Sequence, residues 1–341
     1  MRRQPVLVAI AASVLVLAGC GTPGSSGTGG GAPTPGGGST TGATTAAAAA
    51  TCAAMPGTQL VALQDDKHLQ TVDNVVPAVN AKAAASSPQL VGVLDAVSAT
   101  LDTSKLIALN KAVDVDRQTS SQAATQYVAA QNLGTQQQVG NGAKVLVGAA
   151  NFSESATLAE IYADVLKAAG FDATTQTIGN RETYEPALER GDLTVVPEYA
   201  GTLTEFLNQK LNGAGAPAKA SSDLTTTVAA LQALGQKVGL TFGKPAAAQD
   251  QNAFAVTKAF ADAHSLTTLS DLAKACGGIV LGGPPECPTR PFCEPGLTGT
   301  YGLDITSFVS LDAGGPLTKA AIQQGKVTLG LVFSSDSSLA G

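Results

Sequence analysis

Between Lys144 and Asn212 short apolar runs alternate with amphipathic stretches, and no other feature limits the fold of this chain as tightly. Lys144-Val145-Leu146-Val147-Gly148 reads as a strand, and Asn151-Phe152-Ser153-Glu154 offers a capping turn. Leu158, Ile161, Tyr162, Val165, Leu166 and Ala169 then recur at helical spacing until Gly170. The unit repeats, with a strand over 174–178, a Gly179-Asn180 turn and a helix through Tyr184, Ala187 and Leu188 that stops at Gly191. Residues 193–196 form the next strand, and Tyr199-Ala200-Gly201-Thr202 opens a further helix. Leu224, Val228, Leu231, Leu234 and Val238 give another amphipathic helix. Such alternation implies a mostly parallel sheet with helices on its faces.

A second set of elements follows Gln249: strands over 253–256, 279–281 and 327–333, and helices over 269–273 and 317–323. Nearer the start, 59–63 reads as a strand and 88–97, 104–112 and 121–130 as helices, with a Gln- and Gly-rich connector over 135–143. The expectation is an α/β chain of two lobes with a ligand cleft between them. Open parallel sheets bind ligands beyond the carboxyl ends of their strands, often where a helix begins. That gathers 150–153, 181–183 and 199–202 around one cleft.

The first nineteen residues bear on the compartment. Arg2 and Arg3 precede an apolar run over 6–17 that is too short to span a bilayer and reads as a signal-peptide core. Leu17-Ala18-Gly19-Cys20 has the pattern of a lipobox, in which Cys20 becomes an acylated N-terminus; an ordinary signal peptide is the alternative. Residues 20–56 are mostly Gly, Ser, Thr, Ala and Pro, a composition that buries too little to order itself and reads as a tether. The expected protein is therefore exported and lipid-anchored to the outer face of the cell membrane, with a monomeric head.

The net charge of −6 and the scarcity of basic residues argue against a nucleic-acid partner. With Cys20 used by the lipid, four cysteines remain, and an oxidising compartment favours disulfides. Cys287 and Cys293 flank a turn-rich loop and are expected to pair; Cys52 with Cys276 follows only by elimination. Two histidines at no ligand spacing leave no case for zinc. No nucleophile elbow, zincin helix, phosphate loop or dinucleotide fingerprint occurs, so neither an enzyme nor a cofactor is expected.

Several ordered motifs carry a family resemblance. Val147-Gly148-Ala149-Ala150-Asn151-Phe152-Ser153-Glu154 begins it and Gly179-Asn180-Arg181-Glu182-Thr183-Tyr184 continues it. Val196-Pro197-Glu198-Tyr199-Ala200-Gly201-Thr202-Leu203 is its strongest part, followed by Ala248-Gln249-Asp250-Gln251-Asn252-Ala253-Phe254 and Gly282-Gly283-Pro284-Pro285-Glu286-Cys287 with Arg290. Together they resemble the substrate-binding proteins of ABC transporters for osmoprotectants, which take up glycine betaine, choline and relatives. The resemblance implies a type II periplasmic-binding-protein-like fold, a small-molecule osmolyte ligand and a permease partner.

The order of segments is unusual. Asp65-Asp66-Lys67-His68-Leu69, Asp73-Asn74-Val75-Val76-Pro77 and Val113-Asp114 resemble the part that comes last in the family, yet here they come first. The chain thus resembles a circular permutant, with 57–135 as the family's C-terminal segment, 135–143 as the connector and 144–248 as its N-terminal segment. These would form one lobe over 57–248, leaving 249–341 as the second lobe with its hinge strand, and one covalent hinge unless the tail after Ser334 pairs beside 58–63. An unrelated extra domain over the early block is the alternative.

The resemblance also implies an aromatic cage for a quaternary ammonium, which has no proton to donate and is held by ring faces. Tyr199, Phe254 and Phe333 fall at three cage positions and Asp73 at the fourth. A carboxylate-binding lysine of some members is absent at Ala150, which leaves Thr202, Arg290, Arg181 and the turn at Asn151 for an anionic end. Other readings stand beside these: Phe254 and Phe333 as strand core, Arg181 as an ion-pair partner of Glu185, Asp73 as a backbone cap, and Arg290 as a brace for its own loop. A surface sensor of the same fold, or a polyol or aromatic ligand, is the functional alternative.

Overall fold

The computed structural model describes residues 50–339; the signal segment, Cys20 and most of the tether lie outside the described residues. Its strands are β1 (Ala50–Thr51), β2 (Leu60–Leu63), β3 (Val75–Asn80), β4 (Lys144–Ala150), β5 (Asp172–Gly179), β6 (Val195–Tyr199), β7 (Leu240–Phe242), β8 (Asn252–Thr257), β9 (Cys276–Gly277), β10 (Ile279–Gly283), β11 (Ile305–Ser310) and β12 (Leu329–Phe333). They build two five-stranded sheets, ordered β5-β4-β6-β3-β7 and β11-β10-β12-β8-β2, with β1 paired to β9 alone.

The two sheets follow one plan. In the first, β4 runs parallel to β5 and β6, while β3 runs antiparallel to β6 and β7. In the second, β10 runs parallel to β11 and β12, while β8 runs antiparallel to β12 and β2. The chain passes between sheets twice, each time in the same way. It leaves the edge strand of one sheet, β2 or β7, and enters the inner antiparallel strand of the other, β3 or β8.

Both faces of each sheet are covered. In β3 every residue is buried, and alternate side chains serve opposite cores. Val75 and Val79 pack with helices Leu90–Ser98, Thr103–Asn110, Ser120–Ala130 and Ser153–Ala168. Val76 and Ala78 pack with helices Arg181–Arg190, Ala200–Asn212 and Leu224–Lys237. This double burial explains why the inner strands read as continuous apolar runs.

The pairing corrects two expectations. Residues 60–63 belong to the second sheet, because β2 hydrogen-bonds to β8, so 57–248 is not one continuous lobe. Two covalent crossings, 64–74 and 243–251, therefore join the sheets rather than one. The early block is no separate domain either, since β3 lies between β6 and β7 inside the first sheet. The strands β1, β3, β7, β9 and β11 go beyond those the sequence pattern predicts. Pro77 within β3 weakens any strand reading, and β7 is only three residues long.

Both expected disulfides are formed, Cys287–Cys293 and Cys52–Cys276. The second joins residues 224 positions apart and lies beside the β1–β9 pair. A cross-link over so long a loop restricts the unfolded chain strongly, typically by about 2–5 kcal/mol. Replacing Cys52 and Cys276 by serine is expected to lower the unfolding free energy by that order in oxidising buffer. Coincident urea curves for the variant and its parent would show that the bond contributes nothing.

Candidate functional site

A cavity of about 350 Å³ opens between the two sheets at the carboxyl ends of β4, β6, β10 and β12. The first sheet and its helices contribute Asp73, Asn151, Phe152, Arg181, Tyr199 and Thr202, and the second contributes Asn252, Arg290, Phe292 and Phe333. Seven of the eight expected ligand residues thus line one cavity. Phe254 does not. It sits on β8 opposite Leu331, is 1% exposed and belongs to the core of the second sheet. The two-residue repeat of a strand puts Asn252 on the same face, one step nearer the cavity, opposite Phe333.

Phe152 lines the cavity as well. It occupies the position before helix Ser153–Ala168 and makes no side-chain cap. Its ring centroid lies 6.3 Å from that of Tyr199 and 5.5 Å from that of Phe333. One aromatic cluster therefore contains rings from both sheets. The signal was present in Asn151-Phe152-Ser153, a large aromatic where a small polar cap is usual.

The start of helix Ala200–Asn212 is built against the first crossing. Asp73 Oδ1 accepts the Gly201 N–H at 2.8 Å and the Thr202 N–H at 2.9 Å. Glycine is required at 201, where a β-carbon would collide with the Val72 carbonyl and the Thr71 hydroxyl. Asp73 is thus both a cap, for a helix distant in sequence, and a wall of the cavity. No hydrogen bond from the described residues reaches its other oxygen.

The cavity's cationic side chains are already engaged. Arg181 donates from Nε and Nη2 to Glu198, with Nη2 at 2.7 Å from Oε2, and Nη2 also donates to Thr202 Oγ1 at 3.0 Å. Glu198 in turn accepts the Tyr184 hydroxyl at 2.7 Å. The anticipated Arg181–Glu185 pair does not form, because Glu185 faces Lys210, which it meets at 2.7 Å together with Glu189. Arg290 reaches across the cleft to Glu182 at 2.9 Å and pairs with Glu286 in its own loop at 3.3 Å. Asn180 also donates across the cleft to Glu286 at 3.3 Å. These half-exposed cross-cleft bridges contribute about 0–1 kcal/mol each, so they set register more than stability.

The sequence model described as the substrate-binding domain of the ABC-type glycine betaine transport system matches residues 41–130 and 143–340. The chain belongs to this family. It is a solute-binding protein of an ABC transporter. Among solved structures, one described as a glycine betaine/carnitine/choline ABC transporter is 23% identical, covers 57% of this chain and 71% of its own, and has a TM-score of 0.37. The periplasmic murein tripeptide binding protein MppA, in an unliganded open form, is 13% identical over 55% of this chain and 44% of its own, with a TM-score of 0.27.

Buried acids line the cavity and stand behind it. Burial pushes the Asp73 carboxyl up to about 7, against the pull of the Thr202 and Gly201 amides and the Arg181 charge. Asp250, also lining the cavity, is raised well above the usual carboxylate range by burial and by Glu154 beside it. Glu154 is raised by burial too, although Asn110, Tyr199 and Ser335 all donate to it.

A carboxyl whose folded value exceeds its unfolded one holds its proton more tightly when folded. Its stabilisation is complete below the unfolded value, 3.8 for Asp73, and is lost as pH rises through about 7. Asp250 and Glu154 act with the same sign. The melting temperature is therefore expected to fall between pH 5 and pH 8. Asp73→Asn, which keeps the helix cap, should flatten part of that fall in a thermal scan. A slope equal to the parent's would mean that Asp73 does not titrate in this window.

Proposed function

We propose that this protein captures a quaternary-ammonium osmoprotectant of the glycine betaine and choline class and delivers it to an ABC permease. The observation that carries the reading is the convergence of Phe152, Tyr199 and Phe333 from two sheets onto one acid-lined cavity. A methylated ammonium cannot hydrogen-bond, so ring faces and negative charge are what can hold it. Each ring contributes about 0.5–2 kcal/mol. Micromolar binding needs about −8 kcal/mol, so the three rings require the help of Asp73 and Asp250.

The charge pattern favours one end of the class. Arg181, Lys210 and Arg290 each pair with a carboxylate of the protein, so a ligand carboxylate would compete with Glu198, Glu185 and Glu182 for them. The Asp73 oxygen left without a partner suits a hydroxyl donor. Choline, a cation with a hydroxyl, fits this wall better than glycine betaine, whose carboxylate would face Asp73 and Asp250.

Two further readings belong to the same proposal. The chain is a circular permutant: the family match falls into two segments that break at 131–142, where the connector was placed, and Ser338 lines the same surface groove as Thr58 and Leu60. Ends that lie so close could be joined and the chain reopened at 135–143; a rejoined variant unfolding at a very different temperature would count against it. The second is the anchor at Cys20, for which Cys20→Ser should release the protein into the soluble fraction; retention in the membrane fraction would rule that out.

Titration calorimetry on a form beginning at Ala50, which keeps Cys52 in its disulfide, tests the ligand directly. Micromolar or weaker binding of choline, weaker binding of glycine betaine, and a loss of about tenfold or more in Tyr199→Ala are expected. Heat from a polyol or aromatic solute, with none from choline or any betaine, would overturn the osmoprotectant assignment and leave the solute-binding class intact.

A further inference from the structure

After β12 the chain does not end at the second sheet. Ser334 N–H donates to the Gln251 carbonyl at 2.8 Å, and the next residue enters the first lobe. Ser335 is 1% exposed and stands between two buried acids. Its N–H donates to Asp250 Oδ1 at 3.1 Å and its hydroxyl to Glu154 Oε2 at 2.7 Å. Asn110, from helix Thr103–Asn110, donates to Glu154 Oε2 at 2.5 Å and to the Ser335 hydroxyl at 3.0 Å. The other Glu154 oxygen accepts the Tyr199 hydroxyl at 2.6 Å. A continuous polar chain thus runs Tyr199–Glu154–Ser335–Asp250, and both of its ends line the solute cavity.

We propose that Ser335 is a positioning residue of the solute cavity, fixing the Tyr199 ring through Glu154 and the Asp250 carboxyl directly. This rests on the reading of the cavity as the solute site. The argument is one of satisfaction. No arginine or lysine among the described residues pairs with Glu154 or Asp250, so these buried acids are held by neutral donors alone. Glu154 has three such donors and Asp250 accepts the Ser335 N–H. Removing the serine hydroxyl leaves a Glu154 oxygen one donor short, and the carboxyl turns toward what remains, carrying the Tyr199 hydroxyl with it. Because Ser335 follows Phe333 by two residues, the same contact also sets how far the third ring stands from the other two.

The groups facing the acid pair are Tyr199 at the end of β6, Asp73 from the first crossing with Arg181 behind it, Asn110, and Ser335 itself. A cation in the cavity favours ionised acids, so its affinity rises with pH. Without the serine hydroxyl the acids hold their protons to higher pH, and the rise moves upward.

The test uses the full-length protein labelled with fluorotyrosine, the Tyr199 resonance being assigned with Tyr199→Phe. In Ser335→Ala that resonance should shift without any ligand. Choline should bind about tenfold more weakly, with its affinity rise displaced to higher pH, and Ser335→Thr should restore both. An unmoved Tyr199 resonance would overturn the proposal, as would a choline affinity with the parent's value and pH profile. If the parent binds neither choline nor glycine betaine, the osmoprotectant reading falls while the Tyr199 resonance still decides the positioning role. If Ser335→Ala does not fold, Glu154→Gln keeps the volume, and its Tyr199 resonance must move for the proposal to stand.

Discussion

The architecture of the site depends on a carboxylate lying on a helix start that it reaches from far away in the sequence. The first amides of any helix lack intrahelical partners and must find acceptors elsewhere. For helix Ala200–Asn212 the acceptor is Asp73, carried by the segment that passes from one sheet to the other. The contact is possible only because position 201 has no β-carbon to hold the crossing backbone away. With the crossing seated there, β3 enters the sheet beside β6, and Tyr199 is brought to the cavity at the end of its strand. A side chain that seals a helix, fixes a crossing and walls a cavity is constrained three ways at once.

The electrostatics follow from the same seating. Arg181 lies near Asp73 but bonds to Glu198, which also takes the Tyr184 hydroxyl. Behind the rings, then, the strong cation is neutralised by an acid that does not line the cavity, and the buried acids that do line it, Asp73 and Asp250, keep little cationic company. Such an arrangement would be costly if the acids were all ionised in the empty cavity. The upward shifts of Asp73 and Asp250 are the response to that cost: the wall stores protons.

Much of this was legible in the residues. From Lys144 to Asn212 the helical and strand periods are clean, and the expected elements there match those observed to within a few residues at their ends. The cavity was legible as well, since carboxyl ends of parallel strands name its position and seven of eight candidates line it. The failures have physical reasons. Pro77 disguises β3, an inner strand that one would not expect to contain a residue without an N–H. Phe254 and Phe333 are alike in composition and strand context, and only pairing register separates the one at the rim from the one in the core. Glu154 and Asp250 looked like ordinary polar residues near helix and strand ends. Their meeting requires residues 110, 154, 250 and 335 to come together, which no local pattern encodes.

The two crossings and the tail differ in kind, and the difference bears on how such a molecule can move. Each crossing is a covalent strand whose neighbours are backbone ladders, so it can twist but not part. The tail after Phe333 is tied to the first lobe through the polar contacts of Ser335. Groups of that type exchange a protein partner for water at little net cost, whereas an apolar seam would lose its full burial on separation. If the lobes part, the tail can let go, as can the cross-cleft contacts of Arg290 with Glu182 and of Asn180 with Glu286. Release of the tail would also take one donor from Glu154, the acid that accepts the Tyr199 hydroxyl.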